Sequence, residues 1–178
     1  MATRHRVFIS FYHKDDERYR VKFERDFGHL FIAKSVQDGA IASENSDQYI
    51  KRLIREGYLE DASVVIVLVG PKTKCRKHVD WEISAGLNKK VGGYSGLLGI
   101  LLPTFALTTD GKYRGDDIPR RLDANVDSGY AKLYTWSSLT KDDGRVLSAI
   151  QGAFDRRASH SDKIVNAAIP QRERDSCD

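Results

Sequence analysis

The fold turns on two stretches, Arg6-Val-Phe-Ile-Ser-Phe-Tyr-His-Lys-Asp-Asp16 and Ser63-Val-Val-Ile-Val-Leu-Val-Gly-Pro-Lys-Thr-Lys-Cys-Arg-Lys-His-Val-Asp-Trp-Glu82. Each opens as an apolar, β-branched run, breaks into a polar turn and continues in a helical pattern. Neither run alternates polar with apolar residues, which marks strands buried on both faces of a parallel sheet. In such sheets ligands bind beyond the carboxyl ends of the strands, where the winding direction reverses. The turn after Phe11 and the turn after Val69 are therefore expected to face each other, with Glu82 one or two turns into the helix that follows the second.

Working outward, a chain of 178 residues suits one domain able to bury a proper core. Hydrophobic residues make up 40% and charged residues 30%, which excludes the low-hydrophobicity signature of disorder. A net charge of +4 leaves room for an anionic ligand but reads first as a solvated Lys/Arg surface, and nothing calls for nucleic acid. Cys75 and Cys177 lie far apart, so neither a disulfide framework nor a metal knuckle is expected, and a reducing, cytoplasmic location fits. Met1 to Arg6 carries no apolar leader and no segment approaches the roughly 20 apolar residues of a membrane span, so neither export nor membrane insertion is expected.

The remaining elements alternate strand and helix. Strand one covers 7–11, and helix A starts at Asp15 or Asp16 with Tyr19, Phe23, Phe27 and Leu30 at helical spacing. A short strand over 33–36 leads into a turn-rich loop over 37–45. Ser46 or Asp47 then caps helix B, which carries Tyr49, Ile50, Leu53 and Ile54 and ends at Gly57. Strand three is Val64 to Val69, helix C spans 77–90, and strand four is Leu97 to Leu102, closed by Pro103. The polar stretch 104–127 reads as a long loop with at most one helical turn. Strand five is Ala131 to Trp136, and helix E over 142–157 places Val146, Ile150 and Phe154 on one stripe. The domain is read as 1–158, followed by a polar, frayed tail over 159–178.

These elements predict an α/β fold: a flavodoxin-like, doubly wound parallel five-stranded sheet of order 2-1-3-4-5. The strand ends exclude two chemistries of that frame. A phospho-receiver needs an aspartate ending strand three and a lysine ending strand five, whereas these strands end in Val69-Gly70-Pro71 and Tyr134-Thr-Trp136. A flavodoxin or dinucleotide-binding domain needs a Ser/Thr-rich or G-x-G-x-x-G loop after strand one, and Phe11 to Asp16 supplies neither.

The opening Val7-Phe-Ile-Ser-Phe-Tyr-His-Lys-Asp-Asp16 resembles the first strand of a TIR domain, with its "VFISY" signature and acidic helix start. Val64 to Val69 followed by Trp81-Glu82 resembles the third strand and the tryptophan-glutamate of the third helix. With Lys51-Arg-Leu-Ile-Arg-Glu-Gly-Tyr-Leu59, the chain is closer to the bacterial ThsB-type, TIR-like branch of Thoeris antiphage defence than to animal receptor domains.

That resemblance implies that Glu82 is the catalytic residue of an NAD+ glycohydrolase or ADP-ribosyl cyclase. Breaking the ribose to nicotinamide bond develops oxocarbenium character, which a carboxylate at the ribose stabilises. Ser10, Phe11, Tyr12 and His13 are expected to line the ribose and nicotinamide side, although Phe11 reads equally as core. Asp38 and its neighbours resemble the loop after strand two that covers the site and joins TIR protomers. Trp81 either shapes the pocket or packs inward, and His78 and Asp80 read as cap and surface residues. No histidine and aspartate accompany Cys75, so it reads as a buried or semi-exposed thiol rather than a nucleophile. The basic Lys72 to Lys77 turn either binds pyrophosphate or is surface charge.

No metal or cofactor is expected, NAD+ being the substrate. The implied partners are NAD+, further copies of the chain and a separate effector reached through a cyclic or linear ADP-ribose-type messenger. The alternative is a non-enzymatic module that signals only by TIR to TIR assembly.

Overall fold

A computed structural model describes residues 3–34 and 45–177. Strand β1 (Arg6–Ser10) lies between β2 (Ile32–Lys34) and β3 (Val64–Val69), and β3 pairs in turn with β4 (Gly96–Leu101), which pairs with β5 (Lys132–Thr135). All pairings are parallel, and the order β2-β1-β3-β4-β5 is the expected one.

Strand β3 is buried at every position, as its unbroken apolar run requires. Successive strand side chains point to opposite faces, and each face closes its own core. On one, Phe8, Val65 and Val67 pack against Ile50 of α2 (Asp47–Leu53), Val79 and Ile83 of α3 (Lys77–Gly86) and Leu122 of α4 (Arg120–Ser128). On the other, Val7, Ile9 and Ile66 meet Phe23 and Phe27 of α1 (His13–Phe27) and Val146 and Ile150 of α6 (Asp143–Ser159), with the short α5 (Trp136–Leu139) beside them. Ser46 caps α2 by accepting a hydrogen bond from Tyr49 N, as its position predicts.

Four expectations are corrected. Residues 104–127 are not a continuous loop, because Pro119 opens α4 and Gly129, in the left-handed region at φ 88°, ends it. The buried stripe of α4 mixes Leu122 with Arg121 and Asn125, so the apolar repeat of Ile118, Leu122 and Val126 is short and set among polar residues. Helix α3 ends at Gly86 rather than running to Lys90, whose Nζ turns inward to donate to the carbonyls of Leu59 and Ala62 and to Ser95 Oγ.

The tail is docked rather than frayed. Asn166 Nδ2 donates to Ser84 O, Arg172 N to Asp80 Oδ2, and Asp175 Oδ1 accepts from Lys77 N, so the tail runs along α3 toward its N-terminus. Cys177 there forms a disulfide with Cys75 across a sequence separation of 102 residues. Cys75 is thus not a thiol, and the argument for a reducing location from unpaired cysteines loses its premise. Among the described residues, no helix is long and apolar enough to cross a membrane.

Candidate functional site

The β1 to β3 pairing brings the turns that follow these strands together, and side chains hold them there. The Arg76 guanidinium lies 4.4 Å from the centre of the Tyr12 ring, and Lys72 Nζ is 3.4 Å from Asp15 Oδ2. Glu82, on the sheet-facing side of α3, reaches the end of β1 and accepts a hydrogen bond from the Ser10 hydroxyl. Both residues are buried, Glu82 at 2% exposure.

Among the described residues, no cation is paired with Glu82. Burial pushes its carboxyl up to about 8, with the Ser10 hydrogen bond pulling the other way, so it holds its proton at neutral pH. A carboxyl in that state is close to its ionisation threshold and responds to any cation placed beside it.

A second buried acid stands at the same strand ends. Asp16, from the first turn of α1, lies over Gly70, where any Cβ would meet its carboxylate at 2.5 Å. Glycine is the residue that leaves room for this approach. Burial, and then the charge of Asp15, raises Asp16 to about 6 against the opposing Thr73 hydroxyl and Arg18. Its Oδ2 has no hydrogen-bond partner among the described residues. A helix-start aspartate reads from sequence as a favourable charge for the dipole, so only the glycine that ends strand three hinted at this close packing.

The other expected residues divide. Tyr12 and His13 stand at the turn beside Ser10, with the His13 ring stacked on Phe11 at 4.1 Å. Phe11 itself packs into the α1-side core. Trp81 is buried between α2 and the tail, its indole N–H donating 2.8 Å to Arg172 O and its ring flanked by the Lys51 and Lys77 ammonium groups. Asp38 lies outside the described residues. The cations of the Lys72 to Lys77 turn all have protein partners: Lys72 has Asp15, Lys74 has Asp117, Lys77 has Asp47, and Arg76 donates to Asp175 O.

Asp80 and His78 are not surface residues. Asp80 accepts from buried Arg121 at 2.9 Å and from Arg172 N at 2.8 Å. His78 is half-buried, with Nε2 closed off from solvent and without a hydrogen-bond partner among the described residues.

The sheet order, the short turn after β1 and the acid that α3 presents to it define a flavodoxin-like α/β domain of the TIR-like kind. The family model described as Thoeris protein ThsB, TIR-like domain, matches residues 8–105, more than half of the chain. The chain belongs to that family, and is thus a TIR-type protein of Thoeris antiphage defence. No curated protein matches it. The match contains Ser10, Gly70 and Glu82, whereas α4, β5, α6 and the tail, with Arg121 and Cys177, lie beyond it.

Proposed function

We propose that the protein cleaves NAD+ between nicotinamide and ribose, with Glu82 as the catalytic carboxyl. The observation that carries this reading is a buried acid, without a cationic partner among the described residues, at the carboxyl ends of the two central strands. The nicotinamide ring of NAD+ is itself a cation. Placed beside Glu82 it supplies the missing opposite charge, lowers the pKa of the carboxyl and favours the ionised form. That carboxylate then opposes the positive charge developing on the ribose as the glycosidic bond lengthens. Ser10 holds the carboxyl in place, and the ADP-ribose-type product acts as a messenger to a separate effector. Contacts between copies of the chain, by analogy with TIR assembly, complete and switch on the site.

The second reading is a non-enzymatic module that signals by assembly. The closure of Glu82 from solvent supports it, since a structural acid would be equally hidden. Wild-type and Glu82→Gln protein are incubated with NAD+ over a range of protein concentrations, nicotinamide is followed by chromatography, and melting curves check the fold. Wild type is expected to release nicotinamide and the variant to lose at least about 100-fold, the usual cost of one transition-state electrostatic contact. Equal turnover would reject Glu82 as the catalyst, and turnover by neither would transfer the assignment to the assembly module.

A further inference from the structure

Among the described residues, the buried side-chain polar atoms without a hydrogen-bond partner are Asp16 Oδ2, Arg20 Nε, His78 Nε2 and Arg156 Nη2. Such atoms are rare in folded proteins and each calls for an explanation. The two arginines have one, because their remaining nitrogens are anchored: Arg20 to Glu17 and Glu24, Arg156 to the Tyr130 carbonyl. Asp16 has one as well, because the Thr73 hydroxyl holds its carboxyl, whereas no such anchor accounts for His78.

His78 precedes Glu82 by four residues on α3. Residues so spaced are neighbours on one helix face, about 5–6 Å apart at Cβ. Resting on the reading of Glu82 as the ligand-facing acid, we infer that His78 is a second substrate-contacting residue, its Nε2 exchanging a hydrogen bond with a hydroxyl of a ribose-type ligand. A hydroxyl suits either tautomer, since it donates to a bare ring nitrogen and accepts from a protonated one. The imidazole is held neutral chiefly by burial, and then by Lys77 on its own helix and His13 on α1, against the charges of Asp175 in the tail and Asp47 on α2. Its ring centre lies 5.2 Å from that of Trp81, which limits its rotation.

The test separates this residue from the catalyst. NAD+ binding is measured by calorimetry on Glu82→Gln, on Glu82→Gln with His78→Leu, and on Glu82→Gln with His78→Gln, while the wild-type chain is assayed for nicotinamide release. The leucine variant is expected to bind about tenfold more weakly, the loss of one hydrogen bond. Glutamine, which sets a polar atom near the Nε2 position, is expected to recover most of that. In the otherwise wild-type enzyme, His78→Leu should raise KM with little change in kcat. Equal NAD+ affinity with and without the imidazole would overturn the assignment. A His78-dependent affinity in a chain that never releases nicotinamide would uphold it while sinking the proposed catalysis, and failure of folded protein to bind NAD+ would overturn both.

Discussion

Helix α3 buries two carboxyl groups two residues apart, and they are treated in opposite ways. Asp80 faces α4 and the tail, where Arg121 Nε and Nη2 approach its oxygens at 2.9 and 3.3 Å and Arg172 N donates to it. Arg121 is in turn satisfied by Asn166, Ile169 and Pro170. Glu82 faces β1 and, among the described residues, has the Ser10 hydroxyl alone. A buried charge is tolerated when it is paired and fully hydrogen-bonded; a buried acid without a cation keeps its proton instead. One side of the helix is locked by charge, and the other holds a neutral acid.

The comparison breaks most severely at Arg121. Arg121→Ala would leave Asp80 as isolated as Glu82 and strip the tail of its anchor. Loss of one member of a buried pair costs about 3–5 kcal/mol, so chemical denaturation should show a drop of that size; a loss below about 1 kcal/mol would mean that Asp80 needs no partner.

A smaller effect is expected at the disulfide. Cys177→Ser unlinks the tail from Cys75 across 102 residues, and losses of about 2–4 kcal/mol are typical of such cross-links. Amide exchange should then rise over 166–177 and at the N-terminal turn of α3, where Asp175 meets Lys77 N, and stay unchanged at Ser10. Equal protection with and without the link would show that the hydrogen bonds of the tail hold it unaided.

The same contrast explains what could be read in the sequence. The all-apolar Val64 to Val69 run declared a central parallel strand, and with β1 it set the sheet order and brought Glu82 to the end of β1. Short-range chemistry was equally readable, as at the Ser46 cap. The locked side of α3 was not. Its buried partner Arg121, like Asn125 beside it, is a polar residue in a stretch whose apolar repeat is confined to Ile118, Leu122 and Val126, and Asp80 meets Arg121 from 41 residues away. The Cys75 to Cys177 link depends on a tail whose polar composition reads as frayed but whose hydrogen bonds are satisfied on α3 and α4. Pairings over such distances leave no local pattern, whereas strands and caps do.

Glu82 is a buried acid awaiting a cation, and the ionisation of its carboxyl can be followed on its own. Carbon-detected NMR on side-chain-labelled protein, with Glu82→Gln to assign the signal, is predicted to give a midpoint near 8. Because this folded value lies above the ordinary 4.5, the carboxyl's contribution to stability is complete below about 4.5 and is lost as the pH rises through 8. The glutamine variant should lack that decline, and addition of NAD+ should move the wild-type midpoint downward. A midpoint near 4.5 in the free protein would contradict the account, because Glu82 would then already be ionised and satisfied like its neighbour.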